Sequence, residues 1–191
     1  MANWASTSYV IEGPEETLKK IYDAINNHPV EEGSSEDWEG NVLLALSIDF
    51  RSMKINGREP YMRGFIEEAE LGEVLRIHAS EAGGVTDFSD VLEAKIEGIK
   101  AFYVVEESGN EIYATNDREG KYFKERWYVD ACIMGIYQME YFTEEKAMYK
   151  WLSSITNTKI ESEDDVEKFN DTCAEKYTEE NFISIHQYKI V

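Results

Sequence analysis

STSYVIEGPEETLKKIYDAINNHP, residues 6–29, is the stretch whose reading decides the fold. Its first part, Ser6 to Glu12, mixes β-branched and aromatic residues in a period of two, which predicts a strand. Thr7, Tyr9 and Ile11 fall on one face of it, and Ala5 extends that face toward the amino terminus. The remainder predicts a helix with a signal at each end. Pro14 suits the first helical position, Glu15 and Glu16 complement the positive end of the dipole, and Pro29 cannot continue the helix. Leu18, Ile21, Tyr22 and Ile25 recur at helical spacing, so the helix has one apolar stripe that must pack on something.

Working outward, the polar stretch VEEGSSEDWEGN and the short apolar run VLLALSID interrupt the pattern, and the region from His28 to Gly57 reads as an insertion. Two extended runs follow, Tyr61 to Leu71 and Glu73 to Ser80, separated by Gly72, which predicts a tight hairpin. GGVTDFSDVLEAKIEG then offers Thr86 and Asp87 as helix caps and Phe88, Val91, Leu92 and Ile96 as an apolar stripe. IKAFYVVEES is a buried strand by its β-branched and aromatic content. Strand, helix, strand, strand, helix, strand is the order of a ferredoxin-like split βαβ unit. The expected class is therefore α+β, with a ferredoxin-like domain over residues 1–107 and the insertion at about 28–57.

Residues 108–191 are expected to form a C-terminal β-β-α-α-β extension packed on that domain, since no Pro/Ser/Gly-rich linker separates the halves. Arg126 to Met134 and Ile136 to Phe142 read as strands hinged at Gly135. Thr143 can cap the helix after them, whose apolar face is Ala147, Met148, Trp151, Leu152 and Ile155. An acidic helix over Glu163 to Tyr177 and a last strand from Phe182 to Val191 complete the chain.

Charge excludes more than it identifies. Among 191 residues, 39 are acidic and 19 basic, a net charge of −20. Nucleic-acid binding draws its affinity from Lys and Arg displacing counterions, so direct DNA or RNA binding is not expected. An acidic surface instead favours solubility and steers toward a basic protein partner. The amino terminus lacks the pattern of a signal peptide and no run of 18 apolar residues occurs, so a soluble, cytoplasmic protein is expected, with no membrane contact. Cys132 and Cys173 form no CxxC or Cys/His ladder and read as reduced, packed thiols.

No catalytic motif, metal-ligand set or cofactor signature rises from the sequence, so no catalytic residue, metal or cofactor is expected. His28 reads as a partner of the first helix's C-terminal end. His78 lies on the polar side of its strand with Arg76 and Ser80, and His186 lies in the last strand near Ser184 and Tyr188. None stands at HxH, HxxxH or HxxE spacing. A Cys132–His186 nucleophile and base assembled in space has no local support. Asp117, Glu119 and Gly120 suggest a calcium loop until the twelfth position, where Arg126 replaces the required acid. The residues retained as a binding set are Asn3, Trp4, His78 and His186.

MANW at the amino terminus, running straight into STSYVIEG and the helix, resembles the YubB-like ferredoxin-like domain family of phages, plasmids and gut bacteria. GKYFKERWYVD and DWEGN look similar to stretches in that group. Its members commonly begin Met-(Ala/Pro)-Asn-Trp-Cys; this chain carries Ala5 at the Cys position. The resemblance implies a ferredoxin-like fold and a mobile-element setting, without an established reaction or catalytic residues. Period-two alternation puts Ala5 with Thr7, Tyr9 and Ile11, so position 5 is expected to serve packing, with Trp4 filling a crevice and Asn3 bonding backbone. The expected function is a non-enzymatic accessory protein that binds another protein, such as a basic host nucleic-acid-handling or defence protein. The alternative is a small-molecule or nucleotide-binding enzyme or sensor, with a pocket between the sheet and the C-terminal region near His78 or His186.

Overall fold

The computed structural model describes residues 3–28, 35, 38–176 and 181–191, without the side chains of 174–176. Met1 and Ala2 of the opening motif, the Pro29 stop signal, much of the polar half of the insertion and Tyr177 lie outside the described residues. The chain divides into two compact units, Met1–Arg118 with Val191, and Glu119–Ile190. It is an α+β protein.

In the first unit the order is β1 (Trp4–Glu12), α1 (Glu15–Asn27), α2 (Glu39–Ala45), a 3-10 turn (Phe50–Ser52), β2 (Gly64–Leu71), β3 (Leu75–Ala82), α3 (Phe88–Lys95), β4 (Lys100–Glu107) and β5 (Ile112–Thr115). The strands lie in the order β2-β3-β1-β4-β5, each antiparallel to its neighbour. β5 pairs with β4, which is why the first unit ends at Arg118 rather than at Glu107, where element order alone places the boundary.

Alternation along β1 sends Ala5, Thr7, Tyr9 and Ile11 to the buried face, as the sequence pattern predicts. Tyr9 and Ile11 meet Leu75, Ile77 and Ala79 of β3, Leu18 and Ile21 of α1, and Phe88, Val91 and Leu92 of α3 in one core. Each such large apolar side chain contributes about 1.5–3 kcal/mol on burial. The insertion is not a plain loop: Val42 and Leu43 of α2 and Phe50 belong to the same core. His28 ends α1, its Nδ1 lying 2.9 Å from the carbonyls of Ala24 and Ile25.

β2 carries a bulge between Ile66 and Glu68. Without the extra residue, strict alternation would turn Glu68 to the core beside Ile66. With it, Glu68 sits across from His78 and Glu70 across from Arg76, while Ala69 faces Ile77 and Leu71 faces Leu75. The hairpin turn is Gly72-Glu73-Val74, closed by the Gly72 N–H donating to the Val74 carbonyl at 3.0 Å, so it is wider than a single Gly.

Trp4 does not fill a crevice. It alternates to the face opposite Ala5, is 47% exposed, and lies against the Phe65 ring at a centroid distance of 5.4 Å. Trp4→Ala is accordingly expected to cost about 1 kcal/mol in a thermal or urea melt. A loss above roughly 3 kcal/mol, the range of a buried aromatic, would contradict this placement.

The second unit contains β6 (Trp127–Ile133), β7 (Ile136–Phe142), α4 (Glu145–Thr156), α5 (Glu163–Lys176) and β8 (Phe182–Gln187), with antiparallel sheet order β7-β6-β8. β6 and β7 join through Met134 and Gly135, both at positive φ (53° and 76°), as a two-residue type I′ hairpin requires. Val129, Ala131, Ile133 and Ile183 pack against Met148, Leu152, Ile160 and Val166. Two expectations fail here. Ala147 is exposed, one position off the buried stripe of Met148 and Leu152, and Glu144 rather than Thr143 occupies the helix cap.

Candidate functional site

The most unusual chemistry lies inside the first unit, where Glu39 and Glu81 are both 0% exposed. Glu81 is carried inward by the same alternation that buries Leu75, Ile77 and Ala79. Glu39 is held by the first turn of α2. Trp38 precedes it, donating its indole N–H to the Met62 carbonyl at 3.0 Å and meeting Phe50 edge-on. Room for the Glu39 carboxyl exists because Gly64 has no Cβ: an alanine methyl there would overlap all three carboxyl atoms.

The hydroxyls of Thr7 and Tyr9 donate to the two oxygens of Glu81. Thr86 Oγ1 lies 2.8 Å from Glu81 Oε1 and 2.9 Å from Glu39 Oε2. A hydroxyl has one proton to give, so Thr86 donates to one of the two glutamates at a time. Burial first, and then the neighbouring Glu81 charge, hold Glu39 well above the ordinary carboxyl range. Tyr9 is pushed well up as well, by burial and then by both glutamates. Tyr103 rises to about 12 by burial, with Asp90 and Glu81 adding to it. Two carboxyls sharing a proton are the raw material of general acid–base catalysis. Here both carboxyls are 0% exposed, and their hydrogen bonds join α2, β1, β3 and Thr86.

Nearby, Arg58 grips Asp87 with two hydrogen bonds, 2.5 and 2.9 Å, and the Tyr61 N–H donates to the same carboxylate at 2.5 Å. This clamp ties the segment before β2 to the start of α3.

The four residues retained from the sequence are divided between the two units. Asn3, Trp4 and His78 belong to the first unit and His186 to the second. The main-chain carbonyl of Asn3, not its side chain, accepts the Gly83 N–H at 2.8 Å. His78 lies 3.4 Å from Glu67 on the polar face of β3, and Ser80 donates to the same carboxylate. His186 Nε2 is 3.4 Å from Asp130 Oδ1, its ring stacks on Tyr128, and the Tyr137 hydroxyl donates to Asp130 Oδ2 at 3.2 Å. Cys132 and His186 do not pair: Cys132 lies across from Phe182 and His186 across from Tyr128, with Asp130 between. A groove of about 890 Å³ between α4 and α5 is lined by Tyr149, Ser153 and Ile160 with Lys146, Lys150 and Lys159, and by neither histidine. Among the described residues no group of three or more His, Cys, Asp or Glu is placed to hold a metal, and no helix is long and apolar enough to cross a membrane.

At the surface, β2 is an edge strand in the sheet order. Glu67, Glu68 and Glu70 line it, and Glu73 continues the row into the turn. The bulge creates this density of charge by turning two successive glutamates away from the core. Sequence reading missed Glu39, Glu81 and Thr86 as a cluster. The inward alternation of β3 was a signal for Glu81; nothing local marks Glu39. No protein-family model matches the chain, and no match was found among the curated proteins or the solved structures compared with it.

Proposed function

We propose that this chain is a non-enzymatic accessory protein of a phage or other mobile element that acts by binding a basic protein, such as a host nucleic-acid-handling or defence protein. The observation that carries this reading is the glutamate-lined edge of β2, Glu67, Glu68, Glu70 and Glu73, on a chain of net charge −20. A strand edge offers unpaired backbone groups to an extended segment, and a row of carboxylates selects a basic one while repelling nucleic acid. The mobile-element setting rests on the resemblance of MANW and the strand and helix after it to the YubB-like group. We also assign the first unit to the ferredoxin-like class. Its support is the element order together with the antiparallel neighbours β2-β3-β1-β4.

The test is capture from host lysate with the full chain and with a Glu68→Lys, Glu70→Lys, Glu73→Lys variant. A stoichiometric partner is expected at low salt, weakened as the Debye length falls below about 10 Å near 0.1 M salt, and lost in the variant. Capture that ignores both salt and the charge reversal would refute the electrostatic reading.

A further inference from the structure

The sheet edges of this protein are not treated alike. β2 is guarded by its glutamates. The outer side of β8 is occupied by Asn170, whose side-chain amide donates to the Ile183 carbonyl and accepts the Ile183 N–H, both at 2.9 Å. β7 has neither protection. It is the other edge of its sheet, and among the described residues no strand lies on its outer side. Its seven residues, IYQMEYF, carry a single charge, Glu140, with no Pro or Lys. Ile136, Tyr137, Met139 and Tyr141 are exposed, and so is Met134 in the turn, at 86%. An edge so exposed and so apolar pairs with another strand unless something prevents it.

We propose that the occupant of this edge is the β7 strand of a second copy of the chain, antiparallel about Met139. The hairpin fixes which backbone groups are available. A two-residue turn makes Ile133 and Ile136 a hydrogen-bonded pair, so alternation points the N–H and C=O groups of Ile136, Gln138 and Glu140 toward β6. Those of Tyr137, Met139 and Tyr141 point outward. Antiparallel pairing of two identical strands must bring outward residues opposite outward residues, which allows a two-fold axis at any one residue of the strand and none midway between two. Met139 is the middle of the strand and gives the longest overlap.

The sequence is self-complementary about that residue. Tyr137 comes opposite the copy's Tyr141 and Met139 opposite itself on one face. On the other face Ile136 meets Phe142 and Gln138 meets Glu140. Every pair is apolar, aromatic or amide to carboxylate, and no like charges meet, the arrangement that stabilises cross-strand neighbours. The Gln138–Glu140 pair is the non-hydrogen-bonded kind, in which side chains approach closest, so the amide N–H reaches the carboxylate twice per dimer. The result extends the three-stranded sheet of the second unit into a continuous sheet through the two-fold axis. It uses β7, so it stands or falls separately from the acidic edge of β2.

The test is the association state of the full chain by sedimentation equilibrium. A monomer–dimer equilibrium is expected that tightens with added salt, because two bodies of −20 repel and screening relieves them. Gln138→Glu places a second carboxylate opposite the copy's Glu140, at two places in the dimer, and is expected to weaken it roughly five-fold. Gln138→Lys makes the same two contacts opposite in charge and is expected to tighten it by a similar factor. Adding Glu140→Lys to Gln138→Lys restores like charges and is expected to weaken it again. A chain that stays monomeric at every salt concentration, or a dimer that responds alike to Glu and Lys at position 138, would overturn the proposal.

Discussion

Glu81→Ala is expected to lower the unfolding free energy by roughly 3–5 kcal/mol, the range for a buried network that loses its shared acceptor. The loss follows from counting donors. Thr7, Tyr9 and Thr86 all direct hydroxyls at Glu81, each is buried, and water admitted to the vacated space makes weaker bonds to them than the carboxylate does. Removing the acceptor weakens the bonding of those donors and leaves Glu39 with Thr86 alone. A urea or thermal melt reads the effect directly, and a loss under about 1 kcal/mol would mean that the pair is not the joint holding α2, β1 and β3.

Glu39→Gln separates hydrogen bonding from charge at the same joint. Glu39 is held well above its ordinary range in the fold, so between that range, about 4.3 in the unfolded chain, and its raised value the folded protein binds more protons than the unfolded one. Stability tied to this group is therefore full below the unfolded value and is lost as pH rises through the folded one. Glutamine keeps a donor for Thr86 or Glu81 and cannot ionise. The difference between variant and wild type is expected to grow in the variant's favour as pH climbs from about 4 toward Glu39's raised position. A wild-type urea midpoint that rises over this window, with the same slope in Glu39→Gln, would assign the pH dependence elsewhere.

What the chain's local patterns revealed depends on how far each feature reaches. The β1 alternation and the Leu18–Ile21 stripe are properties of neighbours in sequence, and Ala5, Tyr9, Ile11, Leu18 and Ile21 are all buried as those patterns predict. Trp4 departs from expectation because its size suggests a core residue, whereas its own parity puts it opposite Ala5. The row of glutamates on β2 is visible as letters, but its outward placement depends on a bulge that simple alternation does not contain. Glu39 is illegible for a different reason. Its burial requires the missing side chain of Gly64, the inward turn of Glu81 and the hydroxyl of Thr86, residues brought from outside its own helix. An acid beside VLLA reads as solvated until those segments are brought together. The histidines illustrate the converse: residue type singles them out, and the fold leaves His78 and His186 in different units beside different carboxylates.

Phe88→Ala is expected to cost roughly 3–5 kcal/mol, toward the lower end because of what lies beside it. Phe88 is 1% exposed, its ring stands edge-on to Tyr9 at 6.2 Å, and its N–H reaches Thr86 Oγ1 at 3.3 Å. Truncation therefore opens space against Tyr9, a member of the carboxyl network, rather than against hydrocarbon alone. A cavity lined only by hydrocarbon stays dry, whereas one with several polar partners takes up water. Water that passes from there along Tyr9 to the carboxyl pair relieves the burial that is the foremost cause of Glu39's raised position. The variant is thus expected to lose stability and, at the same time, to show a shallower fall of stability with rising pH. Phe88→Leu fills most of the volume and is expected to keep both the bulk of the stability and the wild-type slope. If Phe88→Ala loses its stability yet retains the full slope, the cavity has stayed dry and the ring does not seal the carboxyl pair from solvent.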